Sequence, residues 1–182
     1  ASLAAGFAVM MQHCRGCGRS EGDWIPFVNE RNDGLDTLDG IRALPCYNGE
    51  IYPNGSSYLS SVHLAYLGTA PHDVKGAVLA VQDDTRYNLI YRNGFFKIGL
   101  YGGWYVSAYK KNSIPVKHYV TDSFKMLPLS SFSETVFGEK VPDFDHCLKH
   151  PDRNDPFWRT PEAGADFIDA VSKLDIPVLL IT

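Results

Sequence analysis

A glycine-led serine turn, residues 54–58 with the sequence Asn-Gly-Ser-Ser-Tyr, is the part of this chain whose residue types and spacing could carry out chemistry. It joins a predicted strand to a predicted helix, and a sharp turn there pushes a serine hydroxyl out of the top of a sheet. Gly55 and Ser57 supply the first half of a G-x-S-x-G motif, although the second small residue, expected at Leu59, is absent. The Tyr58 N–H, in the first turn of the helix, could bind an oxyanion. The pattern predicts Ser57 as a nucleophile, with an ordinary solvated loop as the alternative.

A second motif, Cys14-Arg15-Gly16-Cys17, has the spacing of a redox pair or of two zinc ligands, and His13 precedes it. A structural zinc site needs four ligands, whereas Cys46 and Cys147 stand alone in the sequence. We therefore interpret the cysteines as free thiols in a reducing compartment and expect no metal.

The elements around the serine turn alternate between strands and helices. Short apolar runs of buried-strand length come before and after it, and a helical pattern closed by Pro45 lies between the first run and the turn. This order is typical of a parallel α/β sheet. The predicted elements are a strand over 6–12, a helix over 33–44, a strand through Ile51 and Tyr52, a helix over 58–67, and strands over 75–82 and 176–182.

Six sequence blocks, in order, resemble those of the CocE/NonD hydrolases, the cocaine esterase and X-Pro dipeptidyl-peptidase group of α/β-hydrolases. The blocks are Gly6-Phe7-Ala8-Val9, Arg15-Gly16-x-Gly18-x-Ser20-Glu21-Gly22, Asp33-Gly34-x-Asp36-Thr37, Gly55-x-Ser57-Tyr58-Leu59, His150-Pro151-Asp152 with Phe157-Trp158, and Ile176-Pro177-Val178-Leu179-Leu180-Ile181-Thr182. The resemblance implies a partial α/β-hydrolase fold, with a mostly parallel sheet, helices on both faces and a helical cap insertion. It also implies a Ser-Asp-His acyl hydrolase that needs no cofactor. In it, Ser57 forms an acyl intermediate with an ester or a Pro-containing peptide, and the Tyr58 N–H forms half of the oxyanion hole.

The chain also departs from this family. Ser60 stands where the family has glycine or another small residue, and we expect its hydroxymethyl group to loosen the turn. The family's catalytic Asp follows the strand that ends at Thr182, its His comes later, and its second oxyanion donor, a tyrosine, lies upstream. We therefore expect a central fragment of the catalytic domain, inactive by itself. The alternatives are a catalytically inactive remnant or binding scaffold, and an unusual hydrolase that uses Asp83 or Asp84 as its acid.

The resemblance divides the chain into a hydrolase core over residues 1–84, a cap insertion over 85–158, and a return to the core over 159–182. Aromatic residues crowd the predicted cap, and Tyr87, Trp104 and Tyr105 are candidates for lining the substrate pocket, with core packing as the alternative. A threonine N-cap at Thr160 predicts the last helix, whose apolar stripe comprises Phe167, Ile168, Val171 and Leu174.

The composition restricts the possible partners. A net charge of −4 gives no reason to expect nucleic acid or an anionic membrane surface, and no apolar run is long enough to span a bilayer. No signal peptide is visible, which favours a cytoplasmic location. The apolar runs 7–11 and 178–181 would be exposed sheet edges, so we expect an oligomer or a complementary fragment to cover them.

These interpretations lead to a geometric prediction for Ser57. Its backbone should have a positive φ between a strand and a helix that begins at Tyr58, because that conformation exposes the hydroxyl. All six histidines of the chain precede the last strand, whereas the family's base follows it. We therefore expect no histidine nitrogen within hydrogen-bond distance of Ser57 Oγ.

Overall fold

The chain divides into two compact units. Unit 1 comprises Ala1–Gln82 and Asp166–Thr182, and unit 2 comprises Asp83–Ala165. The computed structural model describes residues 2–81, 83, 85–108, 127–160, 163 and 173–181. The last predicted helix, which begins at Thr160 and carries Phe167, Ile168 and Val171, falls almost wholly outside the described residues.

Unit 1 contains a three-stranded parallel sheet. Its strands are β1 (Asn54–Ser56), β2 (Ala77–Ala80) and β5 (Val178–Ile181), in the order β1-β2-β5. Two other strands, β3 (Tyr91–Arg92) and β4 (Phe95–Phe96), belong to unit 2. Parallel neighbours that are distant in sequence need crossover connections, as in α/β proteins. The predicted fold class, a partial α/β-hydrolase fold with a mostly parallel sheet, is confirmed.

The helices of unit 1 that bear on the serine turn are α1 (Glu30–Arg42) and α2 (Tyr58–Leu67). The acids Glu30 and Asp33 lie in the first turn of α1, where negative charge stabilises a helix N-terminus, and the helix therefore begins three residues before the predicted start. Gly34 allows α1 to approach α2 closely, because a Cβ atom there would lie 2.3 Å from Tyr66 Cδ1.

The first strand of the sheet begins later than predicted. Ile51 forms only an isolated parallel bridge with Val74, and β1 starts at Asn54. Pro53 lies between them and has no N–H to donate to a ladder, although its carbonyl accepts a bond of 2.9 Å from the Val78 N–H.

The prediction of a strand over residues 6–12 is wrong. A 3-10 turn, Leu3–Ala5, comes first, and residues 7–12 are irregular and exposed. A strand requires a partner for its backbone ladder, and within the described residues β1 pairs with β2 alone. This apolar run therefore has the length of a strand but does not form one. Its Phe7 side chain instead makes an edge contact with Tyr52, at 5.7 Å between ring centroids.

Unit 2 is built mainly from short helices. Two strands, β3 (Tyr91–Arg92) and β4 (Phe95–Phe96), form an antiparallel hairpin through Asn93 and Gly94, both with positive φ. The helical elements are α3 (Arg86–Ile90), a π-helical turn (Ile98–Gly102), α4 (Gly103–Ala108), α5 (Phe132–Phe137) and α6 (Pro142–Leu148), with 3-10 turns at Leu129–Ser131 and Pro156–Arg159.

The core of unit 2 is aromatic and surrounds an ion pair. Phe144 stacks on Phe132 at 5.0 Å between ring centroids and on Tyr101 at 6.0 Å. The buried Arg86 Nη2 donates to both carboxylate oxygens of Asp143, at 3.0 and 2.9 Å. The large aromatic rings bury much apolar area. The Asp143 carboxylate compensates the positive charge of the Arg86 guanidinium that these rings surround.

The described helices include none that combines the length and the apolar composition needed to cross a bilayer.

Candidate active site

Ser57 lies between β1 and α2 in an uncommon backbone conformation. Its φ is 56° and its ψ is −127°, and α2 begins at the next residue, Tyr58. Positive φ is rare for residues other than glycine, and such strain is concentrated at functional sites. The Ser57 side chain is exposed. The predicted backbone geometry of the turn is confirmed.

Gly55 makes this turn sterically possible. A Cβ atom on Gly55 would lie 2.5 Å from both the carbonyl carbon and the oxygen of Leu59, and 2.8 Å from Ser60 N. Any larger residue would push β1 away from the first turn of α2. The glycine of the motif therefore acts by allowing the helix to pack directly against the strand.

Backbone hydrogen bonds fix both sides of Ser57. Its N–H donates to the Ala80 carbonyl in β2 at 2.8 Å, and its carbonyl accepts from the N–H groups of Ser60 at 2.9 Å and Ser61 at 3.3 Å. Ser57 is thus attached to the neighbouring strand on one side and to its own helix on the other.

The expectation that Ser60 loosens the turn is wrong. Ser60 is fully buried, and its hydroxyl lies 2.7 Å from the Gly55 carbonyl oxygen and 3.0 Å from both the nitrogen and the oxygen of Ala80. The hydroxyl therefore connects α2 to both neighbouring strands. A buried hydroxyl with satisfied hydrogen bonds strengthens packing instead of disturbing it.

The side chain of Tyr58 anchors the first turn of α2. Its hydroxyl donates to the buried carboxylate of Glu30 at the start of α1, and the Trp24 indole N–H donates to the same hydroxyl. Phe27 packs edge-on against its ring at 5.0 Å between centroids. Burial raises the pKa of Tyr58, and the negative charge of Glu30 raises it further, so the phenol stays protonated.

Two of the described histidines, His63 and His150, have partners other than Ser57. His63 is half-buried: Nδ1 is 2.9 Å from the Tyr66 hydroxyl and Nε2 is 3.3 Å from the Asn54 carbonyl. Burial lowers its pKa. His150 pairs with Asp155 at 2.8 Å and stacks on Phe157. Within the described part of the chain, no histidine is hydrogen-bonded to Ser57 Oγ; His118 lies outside that part.

Asp83 and Asp84, the residues suggested as an alternative triad acid, belong to unit 2. The Asp83 carboxylate lies 4.0 Å from Lys97 Nζ and is partly exposed, whereas Asp84 lies outside the described residues.

The three pocket candidates differ in exposure. Tyr87 and Tyr105 are buried, and their hydroxyls donate to the Pro151 carbonyl at 3.0 Å and to Asp143 at 3.3 Å. Trp104 is half-buried. The two tyrosines thus have a packing role within unit 2, and a contact of any of the three with substrate stays a prediction.

Cys14 does not have the properties of a reactive thiolate. Burial raises its pKa to about 11, and the nearby Glu30 raises it as well, so the thiol is protonated at neutral pH. Over the ranges that the structure describes, the His, Cys, Asp and Glu side chains form no cluster suited to a metal ion.

The turn geometry agrees with a comparison of the whole sequence. A family model described as X-Pro dipeptidyl-peptidase (S15 family) matches residues 2–182. The chain belongs to this family. No curated protein matches it. The S15 family is one of serine hydrolase-type enzymes, so the match indicates a hydrolase.

Sequence reasoning did not identify two residues of the site. Glu30, which bonds to Tyr58, reads in the sequence as one of several acids near a helix start, and its burial is not visible there. Val81 follows β2 with a φ of 52°, next to the Ala80 carbonyl that binds Ser57. No sequence signal predicts a positive φ for a β-branched residue.

Proposed function

We propose that this S15-family chain carries the nucleophile of a serine acyl hydrolase, and that Ser57 forms the acyl-enzyme. The observation that supports this most directly is the backbone of Ser57, held in a strained conformation between β1 and α2 with its side chain exposed. Strain of this kind persists only when the surrounding contacts impose it, and here it projects a hydroxyl from the end of a strand.

In the proposed reaction, Ser57 Oγ attacks the acyl carbon of the substrate while a base takes the hydroxyl proton. The carbonyl oxygen becomes an oxyanion, and the Tyr58 N–H in the first turn of α2 donates to it. Collapse of the tetrahedral intermediate expels the alcohol or amine, which takes up the proton. Water then attacks the acyl-Ser57 ester and releases the acid.

The base and the triad acid come from outside the described residues in this proposal. Resemblance to the family places the Asp and the His after the last strand, and no described histidine is bonded to Ser57 Oγ. Substrates are esters or peptides with proline at the second position, and the reaction uses no cofactor. A cytoplasmic location and an oligomer or complementary fragment that covers the sheet edges belong to the same proposal.

Ser56 provides a matched control for the nucleophile, because it is exposed like Ser57 and immediately precedes it. The assay uses a form of the protein in which the triad Asp and His are present together with Ser57. Its substrates are p-nitrophenyl acetate and an X-Pro p-nitroanilide. We expect Ser57→Ala to lower kcat by at least ~10³-fold and Ser56→Ala to leave kcat within about twofold.

A fluorophosphonate probe identifies the reacting serine directly. We expect mass spectrometry to find the probe on Ser57 and not on Ser56. Activity that survives Ser57→Ala, or a label on another residue, would contradict the proposed nucleophile. The relative rates with the ester and the anilide then decide the substrate class.

A catalytically inactive remnant or binding scaffold is the second candidate. It is favoured by the engagement of His63 and His150 with other partners. For the chain by itself, we expect p-nitrophenyl acetate turnover no faster than that of a serine in water, because general-base help typically contributes ~10²- to 10⁴-fold. Turnover by the isolated chain that Ser57→Ala abolishes would require a base within it.

A further inference from the structure

The Ser60 hydroxyl lies between two backbone groups, one from β1 and one from β2, that would bond directly to each other in a regular parallel ladder. Earlier in this ladder, the Val78 N–H donates to the Pro53 carbonyl at 2.9 Å. Two residues later in the parallel register, the corresponding donor is the Ala80 N–H and the corresponding acceptor is the Gly55 carbonyl. Ser60 Oγ is 3.0 Å from that nitrogen and 2.7 Å from that oxygen.

A single hydroxyl can serve both groups. It has one proton to donate and two lone pairs to accept with. Ser60 can therefore accept from the Ala80 N–H and donate its proton to the Gly55 carbonyl. The Gly55 carbonyl oxygen is the nearer of the two possible acceptors, at 2.7 Å against 3.0 Å for the Ala80 carbonyl oxygen. Because Ser60 belongs to α2, this arrangement joins one helix and two strands at a fully buried point.

The groups that Ser60 holds are those that determine the backbone of Ser57. Gly55 lies two residues before it, the Ala80 carbonyl accepts its N–H at 2.8 Å, and the Ser60 N–H donates to its carbonyl at 2.9 Å. A residue with a φ of 56° and a ψ of −127° is kept in that conformation by such surrounding contacts.

We propose that Ser60 is a positioning residue: its hydroxyl bridges β1 and β2 and thereby fixes the backbone from which Ser57 projects. The catalytic part of this inference rests on the proposed function of Ser57. Glycine or alanine at position 60 has no hydroxyl and cannot make the bridge. Serine at position 60, where the family has glycine or another small residue, therefore adds a support to the site.

The first test measures the bridge without any assay of activity. Ser60→Ala, Ser60→Gly and Ser60→Thr are compared with the unaltered full chain by NMR. Thr69→Val is the control, since it removes a hydroxyl that donates to the Tyr66 carbonyl beyond the other end of the same helix. We expect amide exchange at Ala80 to accelerate about tenfold in the Ala and Gly variants, as for the loss of one hydrogen bond.

In the same spectra, the Ser57 Cα and Cβ chemical shifts should move in the Ala and Gly variants. Ser60→Thr, which keeps a hydroxyl, should restore both readouts, and Thr69→Val should change neither. Unaltered Ala80 exchange or unaltered Ser57 shifts in Ser60→Ala would overturn the proposal. The Gly variant keeps the test decisive if Ser60→Ala does not fold, because glycine is one of the small residues with which the family fills this position.

The second test separates positioning from stability alone. In the protein that supplies the remaining triad residues, Ser60→Ala should lower kcat about 10- to 100-fold, with KM within about twofold, because misplaced reacting groups reduce rate more than affinity. An unchanged kcat together with faster Ala80 exchange would assign Ser60 a structural role only and overturn the proposal. Failure of the proposed function would appear instead as full activity in Ser57→Ala, in which case the Ala80 and Ser57 spectra still decide whether Ser60 fixes the turn.

Discussion

Unit 1 and unit 2 use polar side chains in opposite ways. In unit 1, buried polar groups such as Ser60 and Glu30 hold a backbone turn whose own hydroxyl, on Ser57, is exposed. In unit 2, the hydroxyls themselves are directed inward: Tyr105 bonds to Asp143 in the aromatic core, and Tyr87 bonds to a backbone carbonyl. A residue type that could act on a substrate does so only where the fold leaves its reactive atom accessible.

Backbone strain follows the same division. Among the described non-glycine residues, those with positive φ in unit 1 are Phe27, Ser57, Ala70 and Val81, whereas unit 2 has Asn93. Asparagine tolerates this region far better than a β-branched residue does. The strained positions thus gather in the unit that carries the candidate nucleophile, as expected if strain accompanies function.

The largest effect is expected from the ion pair of unit 2. Asp143→Asn would leave the Arg86 guanidinium, whose side chain is 1% exposed, without its carboxylate, and breaking a buried pair costs about 3 to 5 kcal/mol. Urea unfolding followed by near-UV circular dichroism measures this loss. Glu134→Gln, which removes an exposed partner of Lys140 in the same unit, should change the free energy of unfolding by less than about 0.5 kcal/mol. Equal effects of the two variants would show that the core of unit 2 does not depend on the pair.

Asp73 is the corresponding buried carboxylate of unit 1. It is 1% exposed and accepts bonds from Arg42 Nε at 2.8 Å, Arg42 Nη2 at 2.7 Å and the Tyr47 hydroxyl at 2.7 Å. Arg42 is partly exposed, so the cation left by Asp73→Asn can be hydrated, and we expect a smaller loss of about 2 to 3 kcal/mol.

Asp39 provides the control for this variant, since it bonds to the same Arg42 at 2.7 Å from a side chain that is 75% exposed. Asp39→Asn should cost less than about 0.5 kcal/mol in the same urea titration. If Asp39→Asn destabilises as much as Asp73→Asn, burial is not what distinguishes the two bonds.

Acid titration sharpens the same point. The hydrogen bonds from Arg42 lower the pKa of Asp73 below that of an unfolded aspartate, so the unfolded chain binds the proton first as the pH falls. The contribution of Asp73 to stability should therefore be complete above about pH 5 and decline below it. The difference in unfolding free energy between the unaltered chain and Asp73→Asn should be constant from pH 7 to about pH 5 and shrink toward pH 2. A difference that grows on acidification would contradict the lowered pKa.

The sequence predicted the parts of the fold that depend on local pattern. Apolar runs predicted β2 and β5, and the glycine-serine turn predicted the conformation of Ser57 and the bounds of α2. It did not predict that residues 6–12 are irregular, because a strand depends on a ladder partner that its own residues do not specify. The hairpin of unit 2 was not predicted either. Its turn, Asn93-Gly94, is a standard hairpin signal, but it lies among aromatic residues that were interpreted only as pocket or core candidates.

The supports of the candidate site were beyond sequence reasoning. Ser60 was expected to weaken the turn because the pattern shows its bulk but not the two backbone groups that its hydroxyl reaches. Likewise, Tyr87 and Tyr105 are equally aromatic whether they line a pocket or fill a core, and only their burial distinguishes the two. Hydrogen bonds between distant segments are a property of the fold, not of residue spacing.

The smallest expected effect concerns Val81, where the contrast in strain between the units can be measured. Its φ of 52° is costly for a β-branched residue, and its side chain is 65% exposed, so glycine there loses little burial. Relief of about 1 to 3 kcal/mol of strain outweighs about 0.5 to 1 kcal/mol of added chain entropy, and we expect Val81→Gly to stabilise the chain by about 1 kcal/mol.

Val78→Gly, within the regular part of β2, should instead destabilise it by about 1 kcal/mol or more. Asn93→Gly should gain less than Val81→Gly, because asparagine accepts positive φ. Thermal unfolding of the three variants checks the order, and a destabilised Val81→Gly would mean that contacts of the valine side chain outweigh the strain of its backbone.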